Sequence, residues 1–250
     1  MIYNSVCYKY MVRRAFIKEA ALAAVGTAAL GTPVSAMLTK EQPGGKKVLL
    51  VNGSPRPDGN TFCALQEIEG QLRKHGIETE IYQIGTKPVR MCINCGGCRR
   101  NGGKGCVFDD DPCNEIARKM AEAAALVVGS PVYYGQPNGC IQAVMQRLFF
   151  SSGQVAQNKP AAAGAICRRG GATATLQTLN MMFEMMNMPV VTSQYWNIAY
   201  GAGKGEAKLD KEGMQTMRTL GNNMAWLLER IGNSPAPERD ERPEFMNFIR

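Results

Sequence analysis

Lys47-Val48-Leu49-Leu50-Val51 is a short, continuous apolar run ending in Asn52-Gly53, the pattern of a parallel strand buried on both faces. From Thr61 to His75 the apolar residues Phe62, Leu65, Ile68 and Leu72 fall at helical spacing, and Gly76 ends that helix. Glu78 to Ile84 alternates as a second strand. Asn114 to Ala124 has a helical period, and Ala125-Leu126-Val127-Val128-Gly129 predicts a third buried strand. Gly139 to Phe150 reads as a helix, Ala161 to Ile166 as a fourth strand and Thr175 to Asn187 as a methionine-rich helix. A short fifth strand is expected at Pro189-Val190-Val191, and an amphipathic helix from Lys211 to Ile231 closes the pattern. Strands alternating with helices predict an α/β fold, a doubly wound five-stranded parallel sheet covered on both faces. Ligands then bind at the carboxyl ends of the strands.

Upstream of this pattern the chain changes character. Val12-Arg13-Arg14-Ala15-Phe16-Ile17-Lys18 precedes a weakly apolar run, Ala20 to Leu30, and then Val34-Ser35-Ala36. That order is a charged segment, an apolar segment and an A-x-A-like cleavage site. It resembles a twin-arginine (Tat) export signal, with Val12 where Ser or Thr is commoner. Residues 1–36 are therefore expected to be a signal peptide, with Met1 or Met11 as the start. The expected location is periplasmic or otherwise extracytoplasmic. The run is too short and too rich in Ala and Gly to span a bilayer, so no stable membrane span is expected after processing. Residues 37–46 read as a linker, 47–232 as the folded domain and 233–250 as a C-terminal tail.

The chemistry lies in three loops. Asn52-Gly53-Ser54-Pro55-Arg56-Pro57-Asp58-Gly59-Asn60-Thr61 joins the first strand to the first helix. Backbone N–H groups and the helix dipole face such a loop, Ser54, Asn60 and Thr61 add side-chain donors, and Arg56 adds a positive charge, so it suits a phosphate. It has neither the G-K-S/T ending of a P-loop nor the spaced glycines of a dinucleotide fingerprint. After the third strand, Ser130-Pro131-Val132-Tyr133-Tyr134-Gly135 offers two adjacent tyrosines to a flat ring. After the fourth, Cys167-Arg168-Arg169-Gly170-Gly171 provides a third loop on the same edge. One crevice with a phosphate end and an aromatic end matches a mononucleotide carrying a flat heterocycle.

These segments together resemble the NADPH-dependent FMN reductase and iron-sulfur flavoprotein branch of the flavodoxin superfamily. The similarity covers nearly all of residues 47–232, and Asn247-Phe248-Ile249-Arg250 resembles the tail of several relatives. The resemblance implies a flavodoxin-like fold with FMN as cofactor. Ser54, Arg56, Asn60 and Thr61 would hold its phosphate. Pro131, Val132, Tyr133, Tyr134 and Gly135 would line the isoalloxazine ring. Arg168, Arg169, Gly170 and Gly171 would approach its far edge. It further implies NAD(P)H as donor, a quinone, flavin, metal ion or iron-sulfur partner as acceptor, and a homo-oligomer.

Between the second strand and the next helix, residues 90–113 form a cysteine-rich insertion with the spacing Cys92-x2-Cys95-x2-Cys98-x7-Cys106. Close-spaced cysteines with glycine freedom around them suit a 4Fe–4S cluster, whose four irons each need a thiolate. The motif resembles the compact one of iron-sulfur flavoproteins. Zinc, disulfides or plain loop cysteines remain open, as does Cys113 in place of Cys106. Cys63, Cys140 and Cys167 stand singly and read as buried or incidental. Asp109-Asp110-Asp111 is expected to cap the helix starting near Pro112 rather than bind metal.

Composition narrows the function classes. The 250 residues suit one α/β domain with appendages, and 45% are hydrophobic, enough for a sizeable core. The net charge is +8, but Lys9, Arg13, Arg14 and Lys18 against Glu19 account for three of those charges. No Lys/Arg-rich run interleaved with aromatics exists, so no nucleic-acid partner is expected. The single histidine, His75, sits at an expected helix end, which argues against Ser-His-Asp and Cys-His catalysis. Met181, Met182, Met185, Met186 and Met188 read as adaptable packing or a dimer face. No protein acid or base is evident, so a catalytic role falls to the cofactor. The reading is an FMN-dependent, NAD(P)H-linked oxidoreductase. An exported, non-enzymatic FMN/iron-sulfur carrier is the alternative, because reduced nicotinamides are scarce outside the cytoplasm. A flavin-binding protein with little turnover is a third.

Overall fold

The computed structural model describes residues 46–238 and residue 241. The expected export signal and most of the expected linker and C-terminal tail lie outside these residues.

Five strands form one parallel sheet: β1 (Lys47–Asn52), β2 (Glu78–Gln83), β3 (Ala125–Tyr133), β5 (Ala161–Cys167) and β6 (Ile198–Tyr200), in the order β2-β1-β3-β5-β6. A two-residue strand, β4 (Gln136–Pro137), folds back antiparallel on the end of β3. The order reverses between β1 and β3, so their carboxyl ends open onto a topological switch point where ligands bind. Val48–Val51, Leu126–Val128 and Ala161–Ala163 are buried because helices cover both faces, which explains their unbroken apolar runs.

Helices α1 (Asn60–Lys74) and α6 (Lys211–Ile231) pack on one face, where Leu50, Ile68, Leu72, Met217 and Met224 share a core cluster. Helices α3 (Cys113–Glu122), α4 (Gly139–Ser152) and α5 (Ala172–Met185) cover the other, around Leu126, Ile141, Met145 and Phe183. A single-turn helix α2 (Gly97–Arg100) lies within the cysteine-rich segment and begins at Gly96, whose φ of +68° favours glycine. His75 occupies the C-cap of α1 and its Nε2 lies 3.1 Å from Asn222 Oδ1, a structural role.

The edge of the sheet differs from expectation. Val190 makes only a single bridge to Ala161, and the strand that pairs with β5 is Ile198–Tyr200. A turn at Ser193, whose Oγ donates to the Tyr195 carbonyl at 2.7 Å, interrupts the ladder. Asn197 then restarts it, accepting from the Ala165 N–H at 2.9 Å. The five-stranded parallel order survives with a later edge strand.

Candidate functional site

The loop after β1 is braced before α1 begins. The Gly53 N–H donates to the Gly129 carbonyl at 2.8 Å, and a Cβ on Gly53 would stand 2.7 Å from that oxygen. Only glycine lets the loop lie this close to β3. The Ser54 N–H donates to Asn52 Oδ1 at 3.1 Å, and Gln83 Nε2 donates to the Ser54 carbonyl at 2.6 Å. Ser54 Oγ accepts from the Arg56 N–H at 3.1 Å, which leaves its own proton free to donate. Helix α1 then starts with no side-chain cap and no acid in its first turn. By contrast Asn138 caps α4 through the Cys140 N–H, and Asp210 caps α6 through the Gly213 N–H. Uncapped N–H groups and the positive helix end face the loop, a setting that favours an anion. Arg56 is exposed at the rim, and Lys204 pairs with Asp58, holding that carboxyl below the usual range.

The second loop is a hairpin. Tyr134 and Gly135 have φ of +50° and +76°, the pair of positive values that a two-residue type I′ turn requires. The turn leaves Tyr134 fully exposed and Tyr133 nearly half exposed, while Pro131 and Val132 are partly buried below them. Asn138 joins this loop to the first: its N–H donates to Ser130 Oγ at 3.0 Å, and its Nδ2 donates to the Gly53 carbonyl at 2.9 Å.

The third loop abuts the second. Gly171 has φ of +85°, and a Cβ there would come within 2.7 Å of the Gly135 Cα. Arg168, Arg169 and Gly170 are exposed beside it, and α5 also begins without a side-chain cap. On the far side of Gly170–Gly171 a cavity of about 470 Å³ is walled by Arg169, Tyr195, Trp196 and Tyr200. It is walled by the start of α5, the segment around β6 and the start of α6, and includes no residue of the β1 loop, so it does not coincide with the expected phosphate site.

The cysteine-rich segment folds beneath α4. Cys92, Cys95, Cys98 and Cys106 line one small hollow together with Phe108, Phe150 and Arg147. Its volume is about 20 Å³, and among the described residues no three metal-ligating side chains stand in coordinating positions. The donor set nevertheless suits an iron-sulfur group: four thiols face one space, and N–H groups point at two sulfurs. Arg147 Nε donates to Cys106 Sγ at 3.4 Å and the Gly97 N–H to Cys95 Sγ at 3.5 Å. Cys92 and Cys95 are exposed, whereas Cys98 is buried. Every cysteine among the described residues is a free thiol. Cys113 is fully buried with its Sγ 3.9 Å from the Val144 carbonyl, and burial pushes its thiol up to about 12. It does not line the hollow, which disfavours it as a substitute for Cys106.

The sequence profile of NADPH-dependent FMN reductases matches residues 46–203, the stretch that contains all three loops and the cysteine segment. The chain belongs to that family. An iron-sulfur flavoprotein of Methanocaldococcus jannaschii is 34% identical over 193 residues, covering 74% of this chain and 98% of the relative. An iron-sulfur flavoprotein of Methanosarcina thermophila is 30% identical, covering 74% of this chain and 96% of the relative. Among solved structures, RosB with a bound riboflavin-5′-phosphate derivative superposes with a TM-score of 0.57 at 17% identity, over 82% of this chain and 92% of that one. A WrbA-like flavodoxin from Agrobacterium tumefaciens gives 0.52 at 14% identity, over 75% and 99%. These likenesses show the flavodoxin-like fold, and the family makes the protein an FMN-type flavoprotein of the oxidoreductase kind.

Within this FMN reductase-type domain, the loop residues expected from the sequence fall on one edge, with a different detail at Asn60. Its Oδ1 accepts from the Ala207 N–H at 3.0 Å and its Nδ2 donates to the Gly203 carbonyl at 2.9 Å. The side chain pins the 201–207 loop rather than standing free as a phosphate donor. Thr61 is buried, and its Cγ2 lies 2.9 Å from where a Cβ on Gly129 would be. The Asn60 side chain is therefore engaged by the 201–207 loop, whereas among the described residues no protein partner occupies the Ser54 hydroxyl proton, and Arg56 is exposed beside it. Asp111 Oδ1 accepts from the Cys113 N–H at 3.0 Å, the expected helix-start contact, and its other oxygen pairs with Arg147. Sequence reasoning passed over Asn138, Lys204 and Arg147. Arg147 had a signal: it is a charge inside the apolar stripe Val144, Met145, Leu148 of α4.

Proposed function

We propose that the protein is an NAD(P)H-linked FMN oxidoreductase whose flavin exchanges electrons with an iron-sulfur centre on the Cys92–Cys106 segment. The observation that carries the reading is the contact of three loops on one sheet edge, through Asn138 with Gly53 and Gly171 against Gly135. Ser54, Arg56 and the N–H groups that open α1 bind and orient the phosphate end. Pro131 to Gly135 form a rigid ledge, with Tyr133 and Tyr134 offered to the ring. Arg168 to Gly171 and the uncapped start of α5 place positive charge where an electron-rich ring edge gains density. FMN, when bound, supplies hydride acceptance and single-electron transfer. The neighbouring cavity walled by Tyr195, Trp196 and Tyr200 offers space for a flat donor or acceptor.

Gathering of the four cysteines around one hollow favours the relay reading, in which the protein passes electrons between partners without its own substrate turnover. The Arg13-Arg14 motif, outside the described residues, supports export by the Tat pathway, and export strengthens that second reading. Met181 and Met185 are exposed between α4 and α5 alongside Phe150, a face we assign to self-association. Among the described residues no helix is long and apolar enough to cross a membrane.

Anaerobic purification followed by an absorption spectrum and an iron and sulfide count tests flavin and cluster together. One FMN and four irons per chain are expected. Rapid NAD(P)H oxidation by that preparation supports the reductase, and reduction only by a low-potential protein or a quinol supports the carrier. Protein that refuses both FMN and iron on reconstitution overturns both.

A further inference from the structure

One arginine lines the cysteine hollow, and three more contact residues that line it. Arg90 lies over the Phe108 ring at 4.7 Å and Arg99 over the Phe150 ring at 5.4 Å, and both of these phenylalanines line the hollow. Arg100 Nη1 donates to the Cys95 carbonyl at 2.9 Å. The fourth, Arg147, is 1% exposed and is the arginine that bonds a sulfur. A cation buried this deeply is costly unless paired and fully hydrogen-bonded. Here Nη1 donates to the Arg90 carbonyl at 3.2 Å and pairs with Asp111, Nη2 donates to the Phe108 carbonyl at 2.7 Å, and Nε is left for Cys106. The first three contacts tie the segment to α4. The fourth is not needed for that purpose and is directed at a candidate ligand.

We propose that Arg147 is a positioning residue that raises the reduction potential of an iron-sulfur centre held by Cys92, Cys95, Cys98 and Cys106, with Asp111 as its counterweight. The proposal rests on the reading that these cysteines hold such a centre. Adding one electron makes the sulfur shell more negative. A buried positive charge and an N–H donor at Cys106 stabilise that reduced form more than the oxidised one. Asp111, whose side chain is 3% exposed, opposes the effect by partly neutralising the guanidinium. Two neighbouring charges of opposite sign thus pull the potential in opposite directions.

The test is an anaerobic redox titration followed by electron paramagnetic resonance on cluster-loaded wild type, Arg147→Gln and Asp111→Asn, each with its iron count. Arg147→Gln is expected to lower the midpoint by about 60 mV, a tenfold change in the one-electron equilibrium constant. Asp111→Asn, which keeps an oxygen for the Cys113 N–H, is expected to raise it. If Arg147→Gln fails to load, the direction of the Asp111→Asn shift decides. Loaded variants with the wild-type midpoint, or an Asp111→Asn shift downwards, overturn the role of Arg147 while leaving the cluster standing. Wild-type protein that takes up no iron overturns the cluster reading and this proposal with it.

Discussion

Asn138 and Gly53 lie 85 residues apart in sequence, yet the Asn138 Nδ2 donates to the Gly53 carbonyl at 2.9 Å in the interior of the molecule. The same side chain caps α4 through Oδ1, accepting from the Cys140 N–H at 2.9 Å. One residue therefore fixes the start of α4 and ties the Gly53–Thr61 loop to it. Asn138→Asp keeps a capping oxygen and loses the donor, whereas Asn138→Ala loses both. We expect Asn138→Ala to cost about 1–3 kcal/mol of stability and Asn138→Asp less, with FMN affinity falling roughly tenfold in both. Denaturant unfolding and FMN titration of the two variants separate the cap from the tie.

Gly171 is held at φ +85° with no space for a Cβ against Gly135. Gly171→Ala combines left-handed backbone strain with a displacement of the hairpin turn. A loss of about 1–3 kcal/mol is expected, and reduced flavin content of the folded protein should accompany it. Gly170→Ala, where a Cβ would meet no protein atom within 4 Å, is the control for stability and should leave it unchanged.

Ser54 and Asn60 are expected to fail differently. Ser54→Ala removes a hydroxyl donor and should weaken FMN at least tenfold with little change in stability. Asn60→Ala unpins Gly203 and Ala207, so its expected signature is faster proteolysis within 201–207, with FMN loss following from loop movement. Limited proteolysis beside FMN titration distinguishes the two, and identical behaviour contradicts the assignment.

Lys159 supplies a pH dependence unrelated to the flavin. Its Nζ donates to the Met120 carbonyl at 2.8 Å at the end of α3, and burial lowers its pKa to about 8 from 10.5. The folded value lies below the unfolded one, so between these two values the unfolded chain binds more protons and stability rises with pH. Below pH 8 the cost of the buried charge is fully present. Lys159→Met should therefore remove a rise of no more than roughly 2 kcal/mol across pH 8–10.5, measured as the difference in unfolding free energy between wild type and variant.

Much of the fold was legible because burial on both faces leaves unbroken apolar strands such as Val48–Val51 and Leu126–Val128. The edge was not: Pro189-Val190-Val191 has strand composition, but the Ser193 turn restarts pairing at Ile198, a tertiary choice without a periodic signature. The three loops were legible from residue type and position. What their side chains touch was not, because Asn60 is a plausible phosphate donor in sequence and becomes a loop anchor only once residues 203–207 fold over it. Arg147 and Asp111 show the same limit. A charge in an apolar stripe and an acid in a run of three acids meet only because the cysteine segment folds against α4.

The central claim is that the Gly53–Thr61 loop holds the phosphate of FMN, and its most direct test is titration of the flavin-free protein with FMN and with riboflavin, which lacks that phosphate. The account predicts that FMN binds at least about 100-fold more tightly than riboflavin, about 2.7 kcal/mol, with most of the difference lost in Ser54→Ala combined with Arg56→Ala. Equal affinity for the two flavins, or a preference for FMN that survives that double substitution, would contradict it.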